Sequence, residues 1–257
     1  MKQKKHSCFK TDYSKFYDLF YQGKDYVQEV KYLNKILKKY KPDCKFIRDA
    51  ACGTGNHLVE LIKLGYTVEG SDISSDMIRI LKHKLEDMGI KSKTEVCSMT
   101  EIKTTKKYDA VLCMFAAINY LSGWKDIDKF FKALNKILKP GGIFIFDFWN
   151  GLLVPENNNK RGKKTVDSDN MKITRETFTE VDKLKQNCAV HYNVTISSGK
   201  KTVNKFSETH NLHYFSPEEI EILLNINNFK ILSFQPFGLN KNISADDWEL
   251  IIAAQKK

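Results

Sequence analysis

Long apolar runs are missing from this sequence, and no stretch approaches the ~20 apolar residues that a membrane-spanning helix needs. The basic segment MKQKKHSCFK at the amino terminus has no apolar core after it, which does not fit a secretory signal. We therefore expect a cytoplasmic protein that does not enter a membrane. A chain of 257 residues has room for one large α/β domain with an insert, or for two small domains.

Paired cysteines and metal motifs are also missing. The six cysteines are scattered, with no C-x-x-C pair and no His/Cys spacing suited to zinc. They are expected to be free thiols, mostly buried, in a reducing compartment. The sequence has no G-x-S-x-G elbow either, so we predict neither a metal site nor a covalent nucleophile.

Charge of one sign is abundant, with a formal net charge of +11. The lysines are spread along the chain, often on helix-like faces, which is typical of a solvated surface. The alternative is attraction to an anionic substrate or to nucleic acid. Charge alone leaves both interpretations open.

Strand-like and helix-like segments alternate through the first 150 residues. Apolar segments predict strands, period-3.6 segments predict helices, and glycines or Pro-Gly-Gly end several helices. The predicted strands cover 45–51, 66–74, 93–99, 108–115 and 143–149. Residues 14–40 predict one or two helices, and further helices are predicted over 56–65, 75–89 and 127–142. This alternation predicts an α/β fold with a doubly wound, mostly parallel, seven-stranded sheet, similar to the Rossmann fold.

The pattern changes after Asn150. Residues 151–165 are polar and predict a loop, and three segments of period two then predict an antiparallel β insert. Ser216 and Pro217 open another helix, followed by two closing strands. We therefore divide the chain into lid helices and a cofactor-binding core (1–150), an antiparallel insert over the active site (151–215) and a carboxyl-terminal completion of the sheet (216–257).

The stretch DAACGTGNH, residues 49–57, lies between the first strand and the first helix of the core. Glycines at 53 and 55 let the backbone approach a ligand closely. A dinucleotide fingerprint would place a third small residue where Leu58 stands, and the Gly-Lys-Ser/Thr of a Walker loop is missing. The loop therefore predicts close contact with a ligand that has no pyrophosphate.

Three further positions follow the first three strands. Asp72 can accept hydrogen bonds from the two hydroxyls of a ribose, and Asp49 can hold an ammonium group or a water. A backbone N–H at Ser98-Met99 can bind an adenine ring. Together with the glycine pair, these positions predict a nucleoside-type cofactor at the carboxyl ends of the strands.

The same residues resemble the class I S-adenosylmethionine-dependent methyltransferases. DAACGTGNH resembles the first motif of that family, VEGSDIS the acidic second, YDAVLCMFAAINYL the fourth, and LKPGGIFIFDFW the strand after the post-motif helix. One departure is Ser98, where relatives often carry an aspartate that faces the adenine. The resemblance implies S-adenosyl-L-methionine as cofactor and the following cofactor-binding positions: Tyr26, Asp49, Ala51, Gly53, Gly55, His57, Asp72, Ile73, Met77, Ser98, Met99, Met114 and Asn119.

A narrower resemblance joins YDLFYQGKDY, MFAAINYL and ETHNLHYFSPEEIEILL to small-molecule methyltransferases with a β insert. Among these are the nucleotide-aminosugar N,N-dimethyltransferases and enzymes associated with bacterial surface polysaccharides. The resemblance implies an anionic, nucleotide-linked sugar as acceptor, in glycan or secondary metabolism. The sequence leaves open whether a hydroxyl or an amine is methylated, and it leaves open a homodimer.

Candidate catalytic residues come from three places. Tyr17 belongs to the amino-terminal lid, Tyr120 follows the fourth strand, and His213 belongs to the insert. The aminosugar enzymes carry a histidine at the position that matches Tyr120, and a phenol is a poorer base at its ordinary pKa of ~10. His210 and His213 are three residues apart, so a strand would place them on opposite faces; His213 is the preferred base.

Other side chains extend the predicted acceptor side. Trp149 can stack on a sugar or pack the insert against the core, while Arg175 and the basic run 157–164 can hold phosphates or form a charged loop. Two rival functions fit the sequence less well. A nucleic-acid methyltransferase would carry an N-P-P-Y-like tetrapeptide, and the sequence has DFWN instead. The intact glycine loop and Asp72 argue against a binding or scaffold protein that keeps the fold without catalysis.

Overall fold

A computed structural model describes residues 9, 11–168, 170–239, 241–244 and 246–257. Cys8, one of the predicted free thiols, lies outside these residues. The helices are α1 Thr11–Phe20, α2 Tyr26–Tyr40, α3 Asn56–Lys63, α4 Ser75–Asp87, α5 Trp124–Ile137 and α6 Pro217–Ile226. The strands are β1 Phe46–Ala50, β2 Thr67–Asp72, β3 Thr94–Val96, β4 Tyr108–Cys113, β5 Leu138–Trp149, β6 Arg161–Ser168, β7 Met171–Asp182, β8 Asn187–Ser198, β9 Lys201–His213, β10 Phe229–Pro236 and β11 Glu249–Lys256.

Seven strands form the core sheet in the order β3-β2-β1-β4-β5-β11-β10. Neighbouring strands from β3 to β5 are parallel, and β11 runs antiparallel to both β5 and β10. The predicted fold class, a doubly wound and mostly parallel α/β sheet, is confirmed. The strand order reverses between β1 and β4, and ligands bind in such sheets outside the carboxyl ends of the strands at this point.

Helices begin where the sequence supplies caps. The side chains of Asp25 and Ser74 accept backbone N–H bonds at the start of α2 and α4. Ser216 and Glu219 form a reciprocal capping box at α6, with Pro217 in its first turn. The cap at Ser74 fixes the start of α4 close to the carboxyl end of β2.

Two apolar layers enclose the core sheet. On one face, Leu33, Leu58 and Leu81 bring α2, α3 and α4 against β1 and β4. On the other face, α5 and α6 pack Phe130 and Leu224 against β5 and β11. Both faces of the central strands are therefore buried, which explains why β4 and β5 are apolar without alternation.

A second sheet follows the core strand β5 and has the antiparallel order β6-β7-β8-β9. Its inner face contributes Ile173, Val194 and Ile196 to a cluster with Tyr13 and Phe20 of α1. Helix α1 therefore lies between the insert sheet and the core. The three-part division of the chain stays a prediction.

Two local predictions were wrong. Residues 151–165 were predicted as a loop, but β6 begins at Arg161 and makes the insert four-stranded. It is an edge strand rich in exposed basic residues, and such charge hides the apolar alternation while protecting an edge from further pairing. The Pro-Gly-Gly of 140–142 was predicted to end α5, yet α5 ends at Ile137 and these residues lie in β5.

The predicted third strand was also too long. β3 ends at Val96, and Ser98 instead caps a short 3₁₀ turn, Met99–Glu101, by accepting the N–H of Thr100. Among the described residues, no helix has the length and apolarity to span a membrane.

Candidate active site

The glycine loop connects β1 to α3 at the carboxyl edge of the sheet. Ala51, Gly53 and Gly55 have positive φ values of 66°, 55° and 80°. A Cβ on Gly55 would lie 2.2 Å from Cδ1 of Leu81, whereas a Cβ on Gly53 would meet no atom within 4 Å. Gly55 is thus required by packing against α4, and Gly53 leaves its face of the loop open to a ligand.

Asp72 ends β2 beside this loop and is only 7% exposed. Its Oδ2 accepts the N–H of Gly53 at 2.9 Å, and its Oδ1 accepts the N–H of Ser74 at 2.8 Å. Burial raises the pKa of the carboxyl, while these backbone hydrogen bonds oppose the rise. A carboxylate oxygen has more than one acceptor site, so this fixed group can still receive the hydroxyls of a ribose.

A cavity of about 460 Å³ adjoins Asp72 at the ends of β2 and β3. Ile73, Val96, Cys97 and Ser98 are among its lining residues, and the side chains of Ile73 and Val96 are 56% and 55% exposed. Glu95, Glu101 and Lys103 also line it, so the cavity combines apolar contacts from Ile73 and Val96 with polar groups, and it has room for an aromatic ring attached to the ribose. The arrangement fits the nucleoside part of the predicted cofactor.

Asp49 lies at the end of β1, below the loop, and is 2% exposed. Burial raises the pKa of its carboxyl to about 6, and the nearby His57 works in the opposite direction. His57 itself lies 2.8 Å from Oε2 of Glu29 and packs its ring against Tyr26. Asp49 is therefore a buried carboxyl whose ionisation a bound cation would favour.

Helix α1 covers the glycine loop. Asp18 accepts hydrogen bonds from Oγ1 of Thr54 at 2.7 Å and from Nδ2 of Asn56 at 3.1 Å. The carbonyl of Phe9 accepts the hydroxyl of Ser74 at 2.9 Å. The sequence analysis missed Asp18, because a single acidic residue in an amphipathic helix carries no signal of what it will contact.

The predicted acceptor side forms where α1 meets the insert sheet. Tyr17 is 9% exposed, and its ring lies 4.8 Å from Tyr21 and 5.8 Å from Phe9. Burial raises the pKa of the Tyr17 hydroxyl well above its ordinary value, so Tyr17 is a neutral hydrogen-bonding group. Tyr120 lies across from this helix, with its hydroxyl 2.6 Å from Nδ1 of His210.

The structure does not bring His213 into this group. Its ring packs against Phe215 and Trp124, and burial lowers its pKa. His210 lies on the opposite face of β9 and contacts Tyr13 and Tyr120, as the spacing of three residues implies. The geometry therefore favours His210 over the predicted His213.

Arg175, which was expected to hold phosphates or to belong to a charged loop, is instead buried in β7. The guanidinium is buried beneath α1, donates to the hydroxyls of Tyr13 at 2.7 Å and Tyr21 at 3.3 Å, and lies 4.7 Å from the ring of Phe20. Its position on β7 faces inward, so it anchors the lid. Lys164 of β6 is the cross-strand neighbour of Arg175 on β7, and its ammonium lies 5.8 Å from the centre of the Tyr21 ring.

A strained turn follows β4. Phe115 and Ala116 both have left-handed backbone, with φ values of 64° and 52°, which is costly for residues with a Cβ. The N–H of Ala116 donates to Oδ2 of the fully buried Asp147 at 2.7 Å, and burial raises the pKa of Asp147 well above its ordinary value. Asp147 therefore holds the turn that leads to Tyr120, a role that the apolar strand around it conceals.

The remaining predicted positions differ in how deeply they are packed. Met77 packs among the tyrosines of α1, and Met114 packs among the core residues between sheet and helices. Asn119 is fully buried and donates to the carbonyl of His213 at 2.8 Å. Met99 is half-buried beside the cavity. Their contact with a cofactor stays a prediction.

Comparisons with known proteins agree with this site. Residues 47–142, which contain the glycine loop and Asp72, match the family model described as a methyltransferase domain. A structure of an S-adenosylmethionine-dependent methyltransferase from Clostridium acetobutylicum has the same fold, with a TM-score of 0.81 at 20% identity over 95% of this chain and 98% of that one. Among the described residues, no cluster of acidic, histidine and cysteine side chains could hold a metal. Residues 47–142 therefore form an S-adenosylmethionine-dependent methyltransferase domain, and the predicted enzyme class and cofactor are confirmed.

Two relatives indicate which group of methyltransferases this chain is similar to. The chain is 27% identical over 219 residues to the dTDP-3-amino-3,6-dideoxy-α-D-glucopyranose N,N-dimethyltransferase of Streptomyces fradiae, covering 82% of each chain. It is 26% identical to the dTDP-3-amino-3,4,6-trideoxy-α-D-glucopyranose N,N-dimethyltransferase of Streptomyces venezuelae, over 83% of this chain and 88% of that one. The structure of Streptomyces venezuelae DesVI matches with a TM-score of 0.78 at 22% identity over 95% of this chain and 99% of that one. The chain is homologous to the dTDP-aminosugar N,N-dimethyltransferases.

Proposed function

We propose that this enzyme transfers a methyl group from S-adenosylmethionine to the amino group of a small, nucleotide-linked aminosugar. The observation that carries the proposal is the extent of the likeness to two aminosugar enzymes, about four-fifths of both chains. Alignments of this length reach well beyond the methyltransferase domain of residues 47–142. They therefore include elements on the acceptor side.

The cofactor would lie across the carboxyl ends of β1, β2 and β3. Gly53 offers an open backbone face, Asp72 would accept the ribose hydroxyls, and Ile73 and Ser98 would border the adenine. The Asp49 carboxylate would attract the ammonium group at the methionine end of the cofactor. When bound, the cofactor supplies an electrophilic methyl group on a sulfonium.

The acceptor would lie where the margin of α1, the insert and the turn after β4 meet, facing the same edge of the sheet. Tyr17 and Tyr120 would position it as hydrogen-bonding groups, and the half-buried Trp149 offers a flat apolar wall. Lys164, with its ammonium beside Tyr21 at the margin of α1, is the cation that we assign to the diphosphate. An anionic acceptor also agrees with the net charge of +11.

The chemistry asks little of the protein beyond placement. The amine nitrogen attacks the methyl carbon in line with the departing sulfur, and the positive charge on sulfur is lost. Proximity and alignment lower the barrier by removing translational and rotational freedom before the reaction. The acceptor must also reach the methyl group as a free amine rather than as an ammonium.

We also infer that the reaction takes place in the cytoplasm. The five cysteines that the structure describes are free thiols, and three of them are buried. Thiols of this kind persist in a reducing compartment. Immunodetection in fractionated cells checks the location.

The test supplies purified protein with S-adenosylmethionine carrying a radiolabelled methyl group and with dTDP-linked 3-amino-6-deoxy sugars. We expect label in the nucleotide sugar and products heavier by one and then two methyl groups in mass spectrometry. The matched control acceptor carries a hydroxyl in place of the amine. Methylation of the hydroxyl sugar alone, or label only in nuclease-sensitive polymer from a cell extract, would overturn the proposal.

A further inference from the structure

His210 lies on the inner face of the insert sheet and is 1% exposed. Its Nδ1 is 2.6 Å from the hydroxyl of Tyr120, which comes from the turn after β4 in the core. This contact joins the insert to the catalytic edge of the sheet. When Tyr120 donates its proton, the neutral imidazole carries its own hydrogen on Nε2.

Glu208 lies on the other side of the imidazole. It is two residues before His210 on β9, so both side chains point to the same face. Nε2 of His210 is 3.1 Å from Oε1 of Glu208, at an angle that leaves this buried nitrogen without a completed hydrogen bond. Glu208 is 7% exposed and also accepts the N–H of Phe9. Phenol, imidazole and carboxylate therefore follow one another as adjacent groups, and we call this series the line.

The other groups that face His210 are neutral at physiological pH. Tyr13 of α1 and Tyr192 of β8 pack their rings 5.7 Å and 4.9 Å from the imidazole. Burial raises the pKa of both hydroxyls above the ordinary value. Phe9 contributes a ring edge at 4.8 Å, and Arg175 lies beyond the two tyrosines. Glu208 is the charged group placed to stabilise an imidazolium.

We propose that His210, stabilised by Glu208 and connected through the Tyr120 hydroxyl, is the proton acceptor for the acceptor amine. The inference rests on the proposed function, because only an ammonium substrate needs this step. A proton leaves the substrate nitrogen for the Tyr120 oxygen as the Tyr120 proton passes to Nδ1 of His210. The freed lone pair then forms the N–C bond, and the C–S bond breaks with its electron pair on sulfur.

The line of Tyr120, His210 and Glu208 provides a proton acceptor that the Tyr120 phenol alone would not provide. A phenol alone is a weak base at its ordinary pKa of ~10, and an imidazole is suited to proton transfer near neutral pH. Removing a general base costs typically 10²–10⁴-fold in rate. His213, three residues away with its ring against Phe215, offers a matched histidine that lies outside the line.

The test compares His210→Asn with His213→Asn. Asparagine can accept the Tyr120 hydrogen bond in place of Nδ1 but cannot take up a proton. We measure kcat from pH 6 to pH 9.5 with a dTDP-aminosugar, and cofactor Kd by calorimetry. For His210→Asn we expect kcat about 100-fold lower at pH 7, recovering towards pH 9.5 where solvent deprotonates the amine, with Kd changed less than about twofold. His213→Asn should lower kcat less than about threefold at every pH.

A kcat that falls equally at all pH values, or that does not fall, would show a structural role and overturn the inference. Should His210→Asn fail to fold, Tyr120→Phe and Glu208→Gln give the same test. Tyr120→Phe removes the connection to His210, Glu208→Gln removes the negative charge beside it, and both leave His210 in place. A wild-type pH profile in these two variants would likewise refute it. Wild-type enzyme that methylates no aminosugar at any pH would instead refute the proposed function.

Discussion

The cofactor edge and the acceptor side of this enzyme are built in different ways. At the cofactor edge, Asp72 bonds Gly53 and Ser74, partners 19 and 2 residues away in sequence. On the acceptor side, Arg175 bonds Tyr13 across 162 residues and Tyr120 contacts His210 across 90. One region is a local motif and the other is a tertiary assembly. The difference teaches that cofactor affinity and acceptor placement can be altered separately.

The largest difference between acceptor and cofactor binding is expected from Arg175→Met. The substitution removes the charged hydrogen bonds beneath α1 and leaves the hydroxyls of the buried Tyr13 and the half-buried Tyr21 without this donor. Hydrogen bonds to charged groups contribute about 1.5–3 kcal/mol. We expect kcat/KM for the acceptor to fall about 30-fold, or about 2 kcal/mol, while cofactor Kd changes less than about threefold. Steady-state kinetics and calorimetry check this.

Arg161→Met is the matched control for that variant. Arg161 lies on β6 with its guanidinium 5.0 Å from the ring of Phe178, and it is exposed. Its replacement should leave kcat/KM within about twofold, since exposed contacts of this kind contribute ~0.5–1 kcal/mol or less. Equal losses of cofactor and acceptor binding in Arg175→Met would break the comparison, because the two regions would then act as one.

Asp72→Ala tests the cofactor edge. The substitution removes the proposed charge-assisted bonds to the ribose and releases the N–H of Gly53. Cofactor Kd should rise at least about tenfold, about 1.4 kcal/mol, in calorimetry. Asp128→Ala, at an exposed ion pair with Lys132 on α5, is the control and should leave Kd unchanged. Unchanged affinity in Asp72→Ala would refute the ribose assignment.

The smallest effect concerns the pH dependence of cofactor binding. Burial raises the pKa of Asp49 to about 6, so its carboxyl is mostly protonated at pH 5 and mostly ionised at pH 7. Only the ionised form attracts the cofactor ammonium, and the affinity should therefore tighten up to about tenfold from pH 5 to pH 7. In Asp49→Asn the dependence should disappear. A steep dependence that persists in Asp49→Asn would assign it to another group, such as Asp72.

Local pattern explains how much of the fold could be predicted. Strands β1, β2 and β4 and the capped helix α6 follow from apolar runs, glycines and Ser216-Pro217. Strand β6 escaped prediction because an exposed edge strand needs no apolar face. Pro140–Gly142 were misplaced because pairing with β4 and β11, rather than the helix breakers themselves, decides where β5 starts.

The sequence by itself determined the doubly wound sheet, the position of the glycine loop, the start of α3 at Asn56 and the place of Asp72 at the end of β2. These features depend on spacing within a few tens of residues, and backbone geometry converts such spacing directly into position. Only the tertiary structure decided that Arg175 faces inward, that Asp147 holds the turn at Ala116, and that His210 rather than His213 meets Tyr120. Those orientations depend on which face of β5, β7 and β9 is buried, and the residues that bury it are distant in sequence.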